Sequence, residues 1–293
     1  MSWALRPGTS EAAAVPAPAD ALLRPASAAK AVRDLVVVTR RNLIRMIRVP
    51  EVLILTLVQP IIFVLLFAYI FAGSFSLPGA AGPSVYREYM MPGFFAQTIA
   101  FATASNSSVS MANDLQSGMV DRFRSLPMAR GALLTGRTVA DMVQNIIVIT
   151  VMIGCAVIVG WHIHRGLLYA AAGFALLLLM GYALSWVGVL IGLSVRAPEA
   201  AATGNFLWLF PLTFLSNAFV APSTLPTVLR WAAEWNPLSA TVQSARRLFG
   251  NPGLHTSTAW PAQHSVVVSV TWSVVIALVC RTLAVRRYRS SGA

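Results

Sequence analysis

The sequence predicts an all-α integral membrane fold. It has six transmembrane helices, an N-terminal interfacial amphipathic helix, and an outer re-entrant helical hairpin before the last span. Three observations predict it. Hydrophobic residues make up 57% of the 293-residue chain and charged residues only 11%, against about 25% charged in soluble domains. Mean hydropathy is +0.69, so the chain cannot cover a water-facing surface. Six stretches, roughly 52–72, 89–111, 139–160, 168–194, 202–221 and 264–283, reach the ~20 apolar residues that a crossing helix needs. Finally, of 22 basic residues only Arg87, Arg165, Arg230, Arg246 and Arg247 fall on one side of the resulting topology. The other side carries the rest, with both termini, and is cytoplasmic by the positive-inside rule. That distribution also accounts for the net charge of +12 without nucleic acid, because the charges flank apolar runs and do not form a compact basic face.

Taken in order, residues 1–27 are rich in Ala and Pro and lack an apolar run, which predicts a disordered tail. No apolar core of a leader peptide precedes the first span, so no cleaved signal is expected. Residues 28–50 hold the interfacial helix. Val32, Leu35, Val36, Leu43 and Ile47 can share a face, while Arg41, Arg45 and Arg48 make a basic one, suited to anionic headgroups. A cytosolic extension of the first span is the alternative. Residues 51–285 form the six-span domain, with an inner loop at 112–138 and an outer segment at 222–250. Residues 286–293 are a cytoplasmic tail. The fifth span contains Pro211 and can kink there.

Much chemistry is excluded. The only lysine is Lys30, so no phosphate-binding GxxxxGK[ST] loop exists and the chain does not hydrolyse ATP by such a site. His162, His164, His255 and His264 lie at or beyond the outer edge, and a His-x-His pair alone does not make a metal site. They read as solvated loop residues. Cys155 and Cys280 lie in apolar runs and read as small packing residues. None of the ten acids falls at the middle of a span, which argues against an ion-coupled carrier or an intramembrane protease. If the chain moves a molecule, another polypeptide supplies the energy. A scaffold that transports nothing remains the rival from another class.

Four places could carry function. Thr103, Asn106, Ser107 and Ser110 recur at i, i+3, i+4, i+7 in the second span. Such a face either packs against another helix or lines a substrate path, with Asn106 the residue most in need of a partner. Gly188 and Gly192, below Gly181 and Ser185, form a GxxxG in the fourth span, within one chain or between two. The loop 112–138 displays Leu115, Met119, Val120, Phe123 and Leu126 among charges. It docks into a partner protein or lies on lipid. In 222–250, Leu225, Val228, Leu229 and Ala232 share a helical face, with Arg230 and Glu234 on another. Asn236-Pro237 makes a turn, and Leu238, Val242, Ala245 and Phe249 form a second stripe. Two short helices dipping into the outer leaflet fit this pattern, and a loop packed on the surface is the alternative.

These residues resemble a known family. The motifs are Arg48-Val-Pro-Glu-Val, Gln59-Pro-Ile-Ile-Phe, Phe67-Ala-Tyr-Ile-Phe and Met91-Pro-Gly-Phe. They continue with Gly118-Met-Val-Asp-Arg-Phe-Arg-Ser-Leu-Pro, Gly136-Arg and Asp141, then Leu209-Phe-Pro-Leu-Thr-Phe-Leu-Ser-Asn-Ala-Phe, Pro222, Pro226 and Asn236-Pro-Leu. Over about residues 48–250 the chain resembles the permease subunit of type-2 ATP-binding-cassette exporters, in the daunorubicin-resistance branch. The resemblance implies a bacterial plasma-membrane protein with six spans and cytoplasmic termini. It implies a second permease copy or a paralogue, and two separate ATPase subunits that bind the ATP and Mg. The cargo would be an amphiphilic drug, a secondary metabolite or a lipid, moved outward by alternating access. By the same resemblance, Asp114, Gly118, Met119, Asp121, Arg122, Phe123 and Arg124 belong to a coupling segment seated on the ATPase. Asn217, Pro222, Pro226, Asn236 and Pro237 belong to the outer re-entrant helices.

Overall fold

The computed structural model describes residues 50–71, 83–119, 132–218, 225–251 and 259–290, with isolated positions 33, 36, 37, 39, 40 and 44. The expected tail at 1–27 and most of the interfacial helix at 28–50 lie outside the described residues. So do Asp121, Arg122, Phe123, Arg124 and Pro222, and residues 291–293.

Every described element is a helix or a turn. Helix α1 (Pro50–Leu65) contains Pro60 and passes into a π-helical segment, Leu66–Phe71. Helix α2 (Pro83–Gln116) is 34 residues long, about 51 Å at 1.5 Å per residue, so it overshoots the expected 89–111 span at both ends. It stops where Gly118 takes φ +66° and its N–H reaches Leu115 O at 3.1 Å, a left-handed C-terminal cap that glycine adopts without strain. Helix α3 (Ala132–Ile158) ends before Gly160, at φ +95°. Helix α4 (Leu167–Gly192) runs unbroken, and α5 (Pro198–Phe214) carries Pro211 in its last turn. It starts and stops earlier than the expected 202–221 span.

The segment before the last long helix is a helical pair, α6 (Thr227–Trp235) and α7 (Pro237–Phe249). The turn expected at Asn236-Pro237 is present. Asn236 Oδ1 accepts from Leu238 N–H at 2.8 Å, and its Nδ2 donates to Leu212 O at 2.7 Å. A short α8 (Trp260–Gln263) leads into α9 (Ser265–Ser290), so the expected C-terminal tail begins as helix.

Among the described residues, Leu134–Ile158, Leu167–Gly192 and Ser265–Tyr288 are long and apolar enough to cross a bilayer. Of the other three expected crossings, α1 supplies the shorter apolar stretch Leu57–Ile70, α2 is diluted by its polar residues, and α5 is 17 residues long.

Helix α2 is the hub, packed by α3, α4, α5 and α7, and α4 is covered in turn by α7 and α9. The GxxxG closes within the chain. A Cβ on Gly188 would lie 2.6 Å from Ala104 O, and one on Gly192 would lie 2.5 Å from Ser108 O, so the α4 and α2 backbones touch there. The main core includes Phe95, Trp161 and Phe249, which meet edge to face. A smaller core of Met111, Leu134, Trp186, Val189, Leu193, Ala284 and Tyr288 fills the other end, where Arg287 Nε donates to Leu193 O at 3.2 Å.

Candidate functional site

The polar face of α2 meets a matching polar face of α3. Thr103 Oγ1 donates to Asn145 Oδ1 at 3.0 Å and accepts from its Nδ2 at 2.7 Å. Asn106 Nδ2 donates to Gln144 Oε1 at 2.5 Å. Ser107 Oγ donates to Asp141 Oδ2 at 2.5 Å. Nearer the Arg-rich end, Arg137 Nη1 and Asp114 Oδ2 form a buried ion pair at 3.0 Å. Thr103 and Ser107 are buried, whereas Asn106 and Ser110 are half-buried at the edge.

This seam has a physical logic. A buried polar group without a partner is expensive, and more so without water. Each helix therefore needs the other's polar face, and the antiparallel pair is fixed in register. Hydrogen bonds between membrane helices contribute about 0.6 kcal/mol each on average, so the seam specifies alignment more than it adds stability. The α3 half escaped the sequence reading. Its signal was available, because Asp141, Gln144 and Asn145 repeat the i, i+3, i+4 spacing seen at Thr103, Asn106 and Ser107.

On its other sides α2 is held as firmly. Asn205 of α5 is fully buried; its Nδ2 donates to Ala104 O at 3.2 Å and to Ser108 Oγ, while Oδ1 accepts from Trp208 Nε1 at 3.3 Å. The seam runs down to the Gly118 cap, so the expected coupling residues Asp114, Gly118 and Met119 sit where α2 gives way to the loop. Asp114 is in the ion pair, Gly118 makes the stop, and Met119 is half-buried.

At the far end the α3–α4 connection is clamped onto α7. His164 N–H donates to Phe249 O at 2.8 Å. Trp161 Nε1 donates to Asn251 Oδ1 at 3.0 Å, and Asn251 Nδ2 to His162 O at 3.1 Å. His164 Nε2 sits 3.0 Å from Glu88 Oε1, so this histidine is engaged and not merely solvated. Arg246, expected as an outer charge, is 1% exposed. Its guanidinium stacks 3.7 Å over the Tyr89 ring and donates to Tyr89 O and Ala218 O at 2.9 and 3.1 Å. Asn217 O accepts from Tyr89 Oη at 3.1 Å, and Asn217 N–H donates to Ser239 Oγ at 2.9 Å. Pro226 precedes α6, Pro237 opens α7, and Arg230 pairs with Glu234 at 3.2 Å. The second stripe is buried. On the first, Val228 is 80% exposed and Leu229 is exposed, while Leu225 and Ala232 are half-buried and Ala233 is the buried residue of α6. Among the described residues no cluster of three or more His, Cys, Asp or Glu could hold a metal.

Comparison with known proteins places this arrangement. The ABC-2 type transporter family matches residues 33–249. The daunorubicin resistance ABC transporter permease protein DrrB1 of Streptomyces coeruleorubidus is 28% identical over 244 residues, 83% of this chain and 82% of that one. The doxorubicin resistance ABC transporter permease protein DrrB of Mycobacterium tuberculosis is 30% identical over 113 residues, 39% of each chain. The putative transport permease ycf38 of Cyanophora paradoxa is 25% identical over 223 residues, 75% of each.

Proposed function

Because this chain belongs to the ABC-2 type transporter family, we propose that it is the permease subunit of an exporter in a bacterial plasma membrane. It moves an amphiphilic drug, secondary metabolite or lipid outward. Six helices cross the bilayer: α1 with its π-helical extension, α2, α3, α4, α5 and α9. Both termini are cytoplasmic, α6 and α7 are the outer re-entrant segment, and lipid surrounds the bundle. The chain is not itself an enzyme and carries no cofactor. Two copies of a separate ATPase subunit bind ATP and Mg, and a second permease copy or a paralogue completes the pathway. The ATPase's nucleotide state shifts the permease between inward- and outward-facing populations.

The α2–α3 seam supports this reading most directly. Polar bonds from Thr103–Asn145 down to Asp114–Arg137 join the two helices that hold the loop at both ends. A displacement of the loop moves both helices as one body. Met119, Asp121, Arg122, Phe123 and Arg124 form the surface that the ATPase grips, and Asp114 and Gly118 anchor the segment to α2. The same polar face supplies the cargo path at its half-buried edge, Asn106 and Ser110, with Thr103 and Ser107 behind. The test is Arg122→Glu with Phe123→Ala, co-expressed with the cognate ATPase and reconstituted in vesicles. Insertion and basal ATP hydrolysis persist while export and cargo-stimulated hydrolysis fall away. Export at the native rate would remove the loop from the mechanism. Asn106→Leu changes export rate or apparent cargo affinity, and a silent variant would leave the face with packing alone.

A further inference from the structure

The most apolar face of α6 points away from the protein. Val228, Trp231 and Trp235 fall at i, i+3, i+7, one face of a helix, and are 80%, 65% and 40% exposed. Trp260 of α8 is 55% exposed and extends the face. The rings form a continuous row. Trp231 and Trp235 centroids are 6.4 Å apart and tilted at 42°, Trp235 and Trp260 stack at 6.4 Å and 22°, and Trp260 and His264 at 4.8 Å and 21°.

We propose that this four-ring row is a lipid-binding surface, which anchors α6 flat in the headgroup layer of the outer leaflet. Three observations select lipid as the occupant. First, the row runs straight into α9, whose outward residues Val266, Val267, Val270, Val274 and Val275 are exposed along a helix long and apolar enough to cross a bilayer. The lipid face and the ring row are one surface. Second, the rings sit where α9 begins. From Ser265 to Arg281 the helix rises about 24 Å, most of a ~30 Å hydrocarbon core, which leaves Trp260 and His264 at its boundary. Indoles favour that boundary because their body is apolar and their N–H is wet. Third, the same end carries two more exposed aromatic rings beside arginines. Tyr69 lies beneath Arg87 at 5.8 Å, and Tyr169 beneath Arg165 at 5.3 Å. Arg165 Nη1 donates to Arg247 O at 3.0 Å, and Arg247 Nη1 to Gln263 O at 2.6 Å. These bonds tie that rim to α7 and α8. Helix α6 thus forms the interfacial arm of the re-entrant segment, and α7, buried against α4 and α9, forms its inner arm.

The topology proposed above decides only which leaflet is meant. The test reads lipid contact in either, so the two ideas fail separately. The full chain is reconstituted in phosphatidylcholine vesicles whose acyl chains are brominated either near the headgroup or deep in the core. Tryptophan quenching is compared for the native chain and for Trp231→Phe, Trp235→Phe, Trp260→Phe combined. The combined variant loses roughly half of the shallow quenching and little of the deep quenching, as expected for rings at the interface. Should the combined variant fold poorly, Trp231→Phe alone keeps an apolar ring at the most exposed position and loses a smaller share of the same signal. Shallow quenching unchanged by removal of these rings would overturn the proposal. So would disulfide formation between two copies through Trp231→Cys, because the face would then be covered by protein.

Discussion

Replacing Gly188 by alanine adds one methyl group at a close backbone contact between α4 and α2. That Cβ would stand 2.6 Å from Ala104 O and 2.8 Å from Ser107 Cβ, whereas ordinary contact begins near 3.4 Å. The helices must separate by about 0.8 Å. Neither atom can step aside, since one is backbone and the other is the first side-chain atom of a helix held by Asn205 and by the α3 seam. Overpacking of this kind costs about 1–3 kcal/mol. The better helix propensity of Ala offsets about 1 kcal/mol of it. The net loss is about 0–2 kcal/mol, or up to roughly 8 °C in Tm for a chain of this size. Gly192→Ala behaves alike, with Ser108 O at 2.5 Å and Met111 Cβ at 2.7 Å. Gly154→Ala in α3 is the control, because nothing lies within 4 Å of its Cβ. Only propensity acts there, so Tm holds or rises. The assay is heating in mild detergent, followed by size-exclusion of the surviving folded fraction. Equal shifts for Gly188→Ala and Gly154→Ala would refute a backbone-to-backbone contact between α2 and α4.

Further outcomes follow in the same assay. Asn145→Leu strands the Thr103 hydroxyl and lowers stability by about 0.6–1.7 kcal/mol. Adding Thr103→Val recovers most of it, since removing both polar partners is close to neutral; a strictly additive double variant would mean that the two side chains do not interact. Asp114→Asn removes the carboxylate 3.0 Å from Arg137 and costs about 3 kcal/mol, read as a lower Tm that Arg137→Gln does not worsen further. Gly250→Ala strains a backbone at φ +76° and meets Arg165 Cγ at 2.8 Å. It costs about 1–2 kcal/mol and exposes the α3–α4 connection to protease, whereas native resistance would show that the clamp does not depend on that turn.

The sequence alone determined the class of molecule and the approximate position of its long helices. Apolar run length decides whether a segment sits in lipid. The Asn236-Pro237 turn could be read directly because a cap is a contact with its own next residues. Local chemistry suffices for such features. The partners across the bundle were decided only when the chain closed on itself. Thr103, Asn106 and Ser107 were visible as a face, but its bonding partners, Asp141, Gln144 and Asn145, some forty residues away, were not. The GxxxG showed that something packs closely and left the partner open, until α2 filled it. Arg246 looked like a surface charge because composition registers charge and not shielding; the Tyr89 ring and the carbonyls of Tyr89 and Ala218, distant in sequence, make its burial tolerable. The face of α6 is the converse case. Amphipathicity says that a helix has an apolar side, and only the tertiary structure shows that the inward place was taken by Ala233, which leaves Val228 and the tryptophans outside.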